Sequence, residues 1–120
     1  VTASSTTLLD AIGGEPTVAG VVDELYLRLT HDQRVRHHFA PSRLEHLKAA
    51  QRRWFAAVLS GAAELPSDLR SAHEHLDITD DDVSVVIGHL ADILAGTSLS
   101  PRVQRAVLSV VGRLWYARRF

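Results

Sequence analysis

The sequence predicts an all-α domain. Apolar residues recur at helical three- and four-residue spacing in four long segments, no segment alternates like a half-buried strand, and Gly and Pro fall between the segments. The 120 residues suit one domain, and a content of 46% apolar and 22% charged residues excludes the disordered and collagen-like classes. We expect a flexible polar tail over residues 1–7 and a single domain over residues 8–120.

The first element is brief. Leu8-Leu9-Asp10-Ala11-Ile12 stops at Gly13-Gly14, with Pro16 just beyond, so one or two helical turns are expected before a sharp change of direction. Over residues 17–30, Val18, Val21, Val22, Leu25 and Leu29 form one face and Asp23, Glu24 and Arg28 the other, with Tyr26 close to the apolar side. Residues 31–38 are polar and read as a turn or small helix, with His37 and His38 in solvent and Phe39 pointing inward. Ser42 is an expected N-cap, paired with Glu45, for a helix over residues 42–59 whose stripe is Leu44, Leu47, Gln51, Trp54, Phe55 and Val58. After Gly61, Pro66-Ser67-Asp68 starts a short helix with Leu69, Ala72, His73 and Leu76 on one face. Thr79 and Asp82 form another capping signature, ahead of Val83, Val86, Ile87, Leu90, Ile93 and Leu94, and Gly96 ends that helix. Ser100-Pro101 opens the last helix, with Val103, Val107, Val110, Val111 and Leu114 facing in. The closing Trp115-Tyr116-Ala117-Arg118-Arg119-Phe120 reads as a fraying end with snorkelling arginines.

Composition narrows the function. Thirteen Lys and Arg against fourteen Asp and Glu give a formal charge of −1, which argues against nucleic acid or an anionic lipid surface as a partner. Without cysteine there is no disulfide scaffold, iron–sulfur cluster or thiol catalysis, so a metal or cofactor must be held by His, carboxylate or Tyr. No apolar run reaches the length of a membrane span and the N-terminal residues do not resemble a signal peptide, so a cytoplasmic location is expected.

Three polar residues lie on otherwise apolar faces: Tyr26, Gln51 and His73. Burying such a group unsatisfied costs about 1–3 kcal/mol, so each needs a partner. A backbone group would serve any one of them singly. Jointly they suit a haem pocket, because a neutral imidazole on a short helix is a good axial ligand while a Tyr hydroxyl and a Gln amide can hydrogen-bond a diatomic molecule on the iron. Of the other histidines, His46 and His75 are expected at the surface or on another face, and His89 in packing.

At these residues the chain resembles the truncated haemoglobins, group I (N-type) branch. The resemblance runs from Leu9-Asp10-Ala11-Ile12-Gly13-Gly14 through Leu25-Tyr26, Phe39, Arg43-Leu44, Leu47-Lys48, Gln51 and His73 with Ile78-Thr79, to Gly88-His89-Leu90-Ala91. It implies a globin-like two-over-two helical sandwich holding haem b, with His73 as the iron ligand and Tyr26 and Gln51 as the distal pair toward bound oxygen. It further implies that Phe39 stacks on the haem, that Leu47 stands at the distal position and that Phe55 borders a ligand tunnel. Lys48 is the first candidate to pair with haem propionates, a solvated face being the alternative, and Val86 is a further expected cofactor contact. Ser60-Gly61 and His75-Leu76-Asp77 depart from the family's glycines around the His73 helix. Ala50 replaces the His or Lys that serves some relatives as an internal sixth ligand. The implied function is reversible binding of oxygen, nitric oxide and carbon monoxide by a monomer or weak dimer. With an electron-donating reductase the protein would be a nitric oxide dioxygenase. The alternatives are a haem-based gas or redox sensor and a haem-free helical interaction module.

Overall fold

The computed structural model describes residues 7–62, 65–66 and 77–116. Among them the helices are α1 (Leu8–Ile12), α2 (Glu15–Thr30), α3 (Leu44–Ser60), α4 (Asp80–Ala95) and α5 (Pro101–Tyr116), with 3-10 turns at Arg36–His38 and Pro41–Arg43, and there is no strand. The short helix expected around His73, and His75 with it, lie outside the described residues.

Capping explains most of the boundaries. Thr7, expected in the tail, instead caps α1: its hydroxyl accepts from Asp10 N at 3.1 Å and its own N–H donates to the Asp10 carboxylate. Gly13 ends α1 in the left-handed region at φ 109°, where a side chain would be strained and would also meet Thr17. This turn lets α2 begin at Glu15, earlier than the expected residue 17, with Pro16 in its first turn. The capping box expected from Ser42 and Glu45 does not form. Pro41 starts a 3-10 turn that already contains Ser42, so α3 begins at Leu44 behind Arg43 with no side-chain cap. Thr79 and Asp82 cap α4 reciprocally at 3.0 and 3.1 Å, as their spacing predicts.

The helices stack in two layers. α2 packs on α3 and on α4, α4 packs on α5, and α1 closes the end against α3 and α5. Val22, Leu25 and Leu29 of α2, Trp54 and Phe55 of α3, Leu90 and Leu94 of α4, and Val107 and Val111 of α5 meet at the centre. Trp115 belongs to this core and not to a fraying end. It stacks on Trp54 with ring centroids 5.9 Å apart and also touches Phe55. Trp115 continues the i, i+4 row of Val107 and Val111, the sequence signal that would have placed it inside.

Candidate functional site

The two layers do not close completely at one end. They leave a cavity of about 540 Å³, counting its open mouth. Tyr26 and Leu29 of α2 and Gln51 of α3 form one wall. Val35, His38 and Phe39 of the α2–α3 connector form a second, and Ile78 with Asp82, Val83 and Val86 of α4 a third, while Trp115 closes the back.

Tyr26 and Gln51 come together here. They are 3% and 1% exposed, and the Tyr26 hydroxyl donates to Gln51 Oε1 at 3.0 Å. Burial pushes the Tyr26 phenol well above its ordinary range, so it remains a neutral donor. Gln51 Nε2 is buried and has no hydrogen-bond partner. The pair therefore presents one amide donor with nothing on it, in a cavity that is otherwise mostly apolar. Phe39 meets the Tyr26 ring edge-on, with centroids 5.6 Å apart and planes at 85°.

The other residues singled out from sequence fall in several places. Phe39 and Val86 line the cavity with Tyr26 and Gln51. Leu47 is buried in the core but is not among the described lining residues. Lys48 is not among the described lining residues, and its ammonium lies 2.9 Å from Asp23 Oδ1 and 3.7 Å from Glu45 Oε1. Phe55 lines a smaller apolar cavity with Ile12, Val18, Leu90 and Leu94, about 270 Å³ counting its opening. His73 lies outside the described residues. Among the described residues no cluster of three ligating side chains could hold a bare metal ion.

Two histidines read otherwise from sequence make specific contacts. His38, expected in solvent, has a side chain only 11% exposed, and its Nε2 donates to Asp82 Oδ2 at 2.9 Å. His89, expected merely to pack, donates from Nε2 to Asp32 Oδ2 at 2.7 Å, and Arg34 binds the same carboxylate. The His37 ring lies tilted against that of His38, with centroids 4.1 Å apart, but His37 is exposed, and His46 is exposed as expected. Burial pushes the Asp82 carboxyl up, yet the hydrogen bonds from Thr79 and His38 outweigh it and hold the group below the usual carboxylate range. Asp82 was legible only as a capping residue. Its second role depends on a partner 44 positions away.

With this geometry in view, the sequence profile of the bacterial-like globins matches residues 7–119. The chain belongs to the truncated haemoglobins. A group 1 truncated haemoglobin of Mycolicibacterium paratuberculosis is 27% identical over 113 residues, 93% of this chain and 83% of the relative. The truncated haemoglobin of Tetrahymena pyriformis in its Fe(III) form superposes with a TM-score of 0.77 at 21% identity, covering 90% of this chain and 93% of that one. The haemoglobin of Chloroflexus aurantiacus gives 0.75 at 22% identity over 94% and 97% of the two chains. These likenesses establish for this truncated haemoglobin the two-over-two helical arrangement expected from sequence. No described helix is long and apolar enough to cross a membrane.

Proposed function

We infer that this chain binds haem b and uses the cavity to hold a diatomic gas, oxygen foremost. The observation that carries the reading is the unpaired Gln51 amide beside the Tyr26 hydroxyl. Leaving a buried donor unsatisfied costs about 1–3 kcal/mol, a cost that a site accepts where a ligand supplies the acceptor. Haem, when bound, supplies an iron at which oxygen, nitric oxide or carbon monoxide coordinates reversibly. The chain supplies the rest. Phe39, Val83, Val86 and Trp115 offer apolar walls to a flat ring and exclude water. Gln51 Nε2 donates to the gas, and Tyr26 fixes the amide by holding its oxygen. His73 is assigned as the iron ligand from its place in the sequence and its resemblance to the family.

Holding oxygen in this way also suits a dioxygenase, in which oxygen, nitric oxide and one electron become nitrate while a reductase restores the electron. The first test is the visible spectrum of the purified chain. A haem spectrum is expected, and a colourless protein that takes up no added haem overturns the reading in favour of a helical interaction module. His73→Gly should lower haem retention, with exogenous imidazole restoring the spectrum. Unchanged haem content in that variant moves the ligand elsewhere. Nitrate formed on mixing the oxygenated protein with nitric oxide tests the dioxygenase use.

A further inference from the structure

The described ionisable residues lining the cavity, Tyr26 aside, are His38 and Asp82, and they are bonded to each other. Their side chains are 11% and 16% exposed, so the contact is sheltered from competing water. Asp82 is itself fixed. Its Oδ2 accepts from Thr79 N at 3.0 Å while its own N–H donates to Thr79 Oγ1, which ties the carboxylate to the first turn of α4. His38 precedes Phe39, and the two rings stand edge to face at 6.5 Å. Phe39 in turn stands against Tyr26, whose hydroxyl holds Gln51. A continuous series of contacts therefore runs from the cap of α4, through the connector, to the distal donors.

We propose that His38, anchored by Asp82, is a positioning residue for the Tyr26–Gln51 pair and acts through Phe39. The proposal rests on the gas-holding role inferred above for that pair. The physical reason is that the connector holds only two short 3-10 turns, Arg36–His38 and Pro41–Arg43, with Phe39 between them, so the placing of the Phe39 ring depends on what holds its neighbour. A second contact fastens the other end of the same connector. His89, about two turns further along α4, donates to Asp32, which Arg34 also binds. Loss of His38 thus frees the end next to Phe39 and leaves the other end held.

The test compares His38→Leu, which cannot bond Asp82, with His38→Gln, whose amide can. Both are made in the full chain as purified and read in two ways: by the NMR signals of the Tyr26 ring and Gln51 amide, and by the oxygen release rate after haem loading. His38→Leu should shift or broaden the Tyr26 and Gln51 signals and speed oxygen release by roughly three- to tenfold, the scale of one lost hydrogen bond. His38→Gln should restore both, and in a Tyr26→Phe background His38→Leu should add little. Unmoved Tyr26 and Gln51 signals in His38→Leu overturn the proposal, as does an equal effect of Leu and Gln, or a full effect in the Tyr26→Phe background. If Tyr26→Phe alone leaves oxygen release unchanged, the gas-holding role of the pair fails. The NMR signals then still decide whether His38 positions it. Should His38→Leu not fold, His89→Leu with His38→Gln serves instead: the conservative variant must keep Tyr26 in place, and displaced signals there overturn the proposal.

Discussion

In the proposed gas-holding role, Tyr26 and Gln51 divide one task between two functional groups. The Tyr26 proton is committed to Gln51 Oε1, so the amide nitrogen is the group left to donate. Oxygen on a ferrous iron draws electron density outward and accepts hydrogen bonds strongly, whereas carbon monoxide accepts them weakly. Removing the Tyr26 hydroxyl frees the amide to rotate and loses the whole arrangement. Tyr26→Phe should therefore raise the oxygen dissociation rate at least about tenfold, the equivalent of 1.4 kcal/mol, with a far smaller change in carbon monoxide affinity. Stopped-flow displacement of oxygen by carbon monoxide measures it, and an unchanged rate removes the pair from gas binding. The residues themselves were legible before any fold was known, because a Tyr and a Gln stood on apolar stripes. Their direct contact was not, since 25 positions separate them and nothing local encodes the distance.

Among the elements, glycine separates places where backbone freedom is needed from places where it is only a cost. Gly13 needs its positive φ and has no room for a side chain. Gly88, inside α4 and exposed, has neither constraint, and a Cβ there would meet nothing within 4 Å. Gly88→Ala should stabilise the fold by about 0.5–1 kcal/mol, read as a higher urea midpoint. A lower midpoint would mean that α4 needs a flexible position beside His89. The connector shows the acid side of stability. Arg34 first, and then His89, hold the Asp32 carboxyl well below the usual carboxylate range. A carboxyl whose pKa falls on folding stabilises the native state above its unfolded value of about 4, and that contribution is lost as the pH falls toward the folded one. The urea midpoint should decline as the pH drops below about 4, and Asp32→Asn should flatten the decline. Parallel slopes in the two proteins would show that Asp32 contributes nothing to it.

Across the whole molecule, an aromatic cluster separates two cavities. Phe55 lines the smaller and Trp115 the larger, and their rings are 5.9 Å apart, with Trp54 stacked behind. The shortest described link between the two linings runs through these rings, and a gas path is expected there. Phe55→Ala should open the partition and speed carbon monoxide association, at a cost of about 3–5 kcal/mol in stability. A rate unmoved by both Phe55→Ala and Trp54→Ala places the route elsewhere.

What the sequence determined by itself was whatever depends on neighbours within a few positions. Helical spacing marked α2, α3, α4 and α5, the Thr79–Asp82 spacing marked a cap, and Gly13-Gly14 marked a turn, because hydrogen bonds and steric limits of the backbone act over three or four residues. It also marked Tyr26 and Gln51, since a polar group on a buried stripe stands out without a fold. The tertiary structure alone decided which groups meet: Tyr26 with Gln51, His38 with Asp82, His89 with Asp32, and Trp115 with Trp54. It turned Lys48 toward Asp23, and it drew His38 from an apparently solvated connector to the edge of the cavity. The reason is physical: a long-range contact forms only when the packing of two layers brings its partners within hydrogen-bond reach, and that packing is a property of all the apolar faces at once.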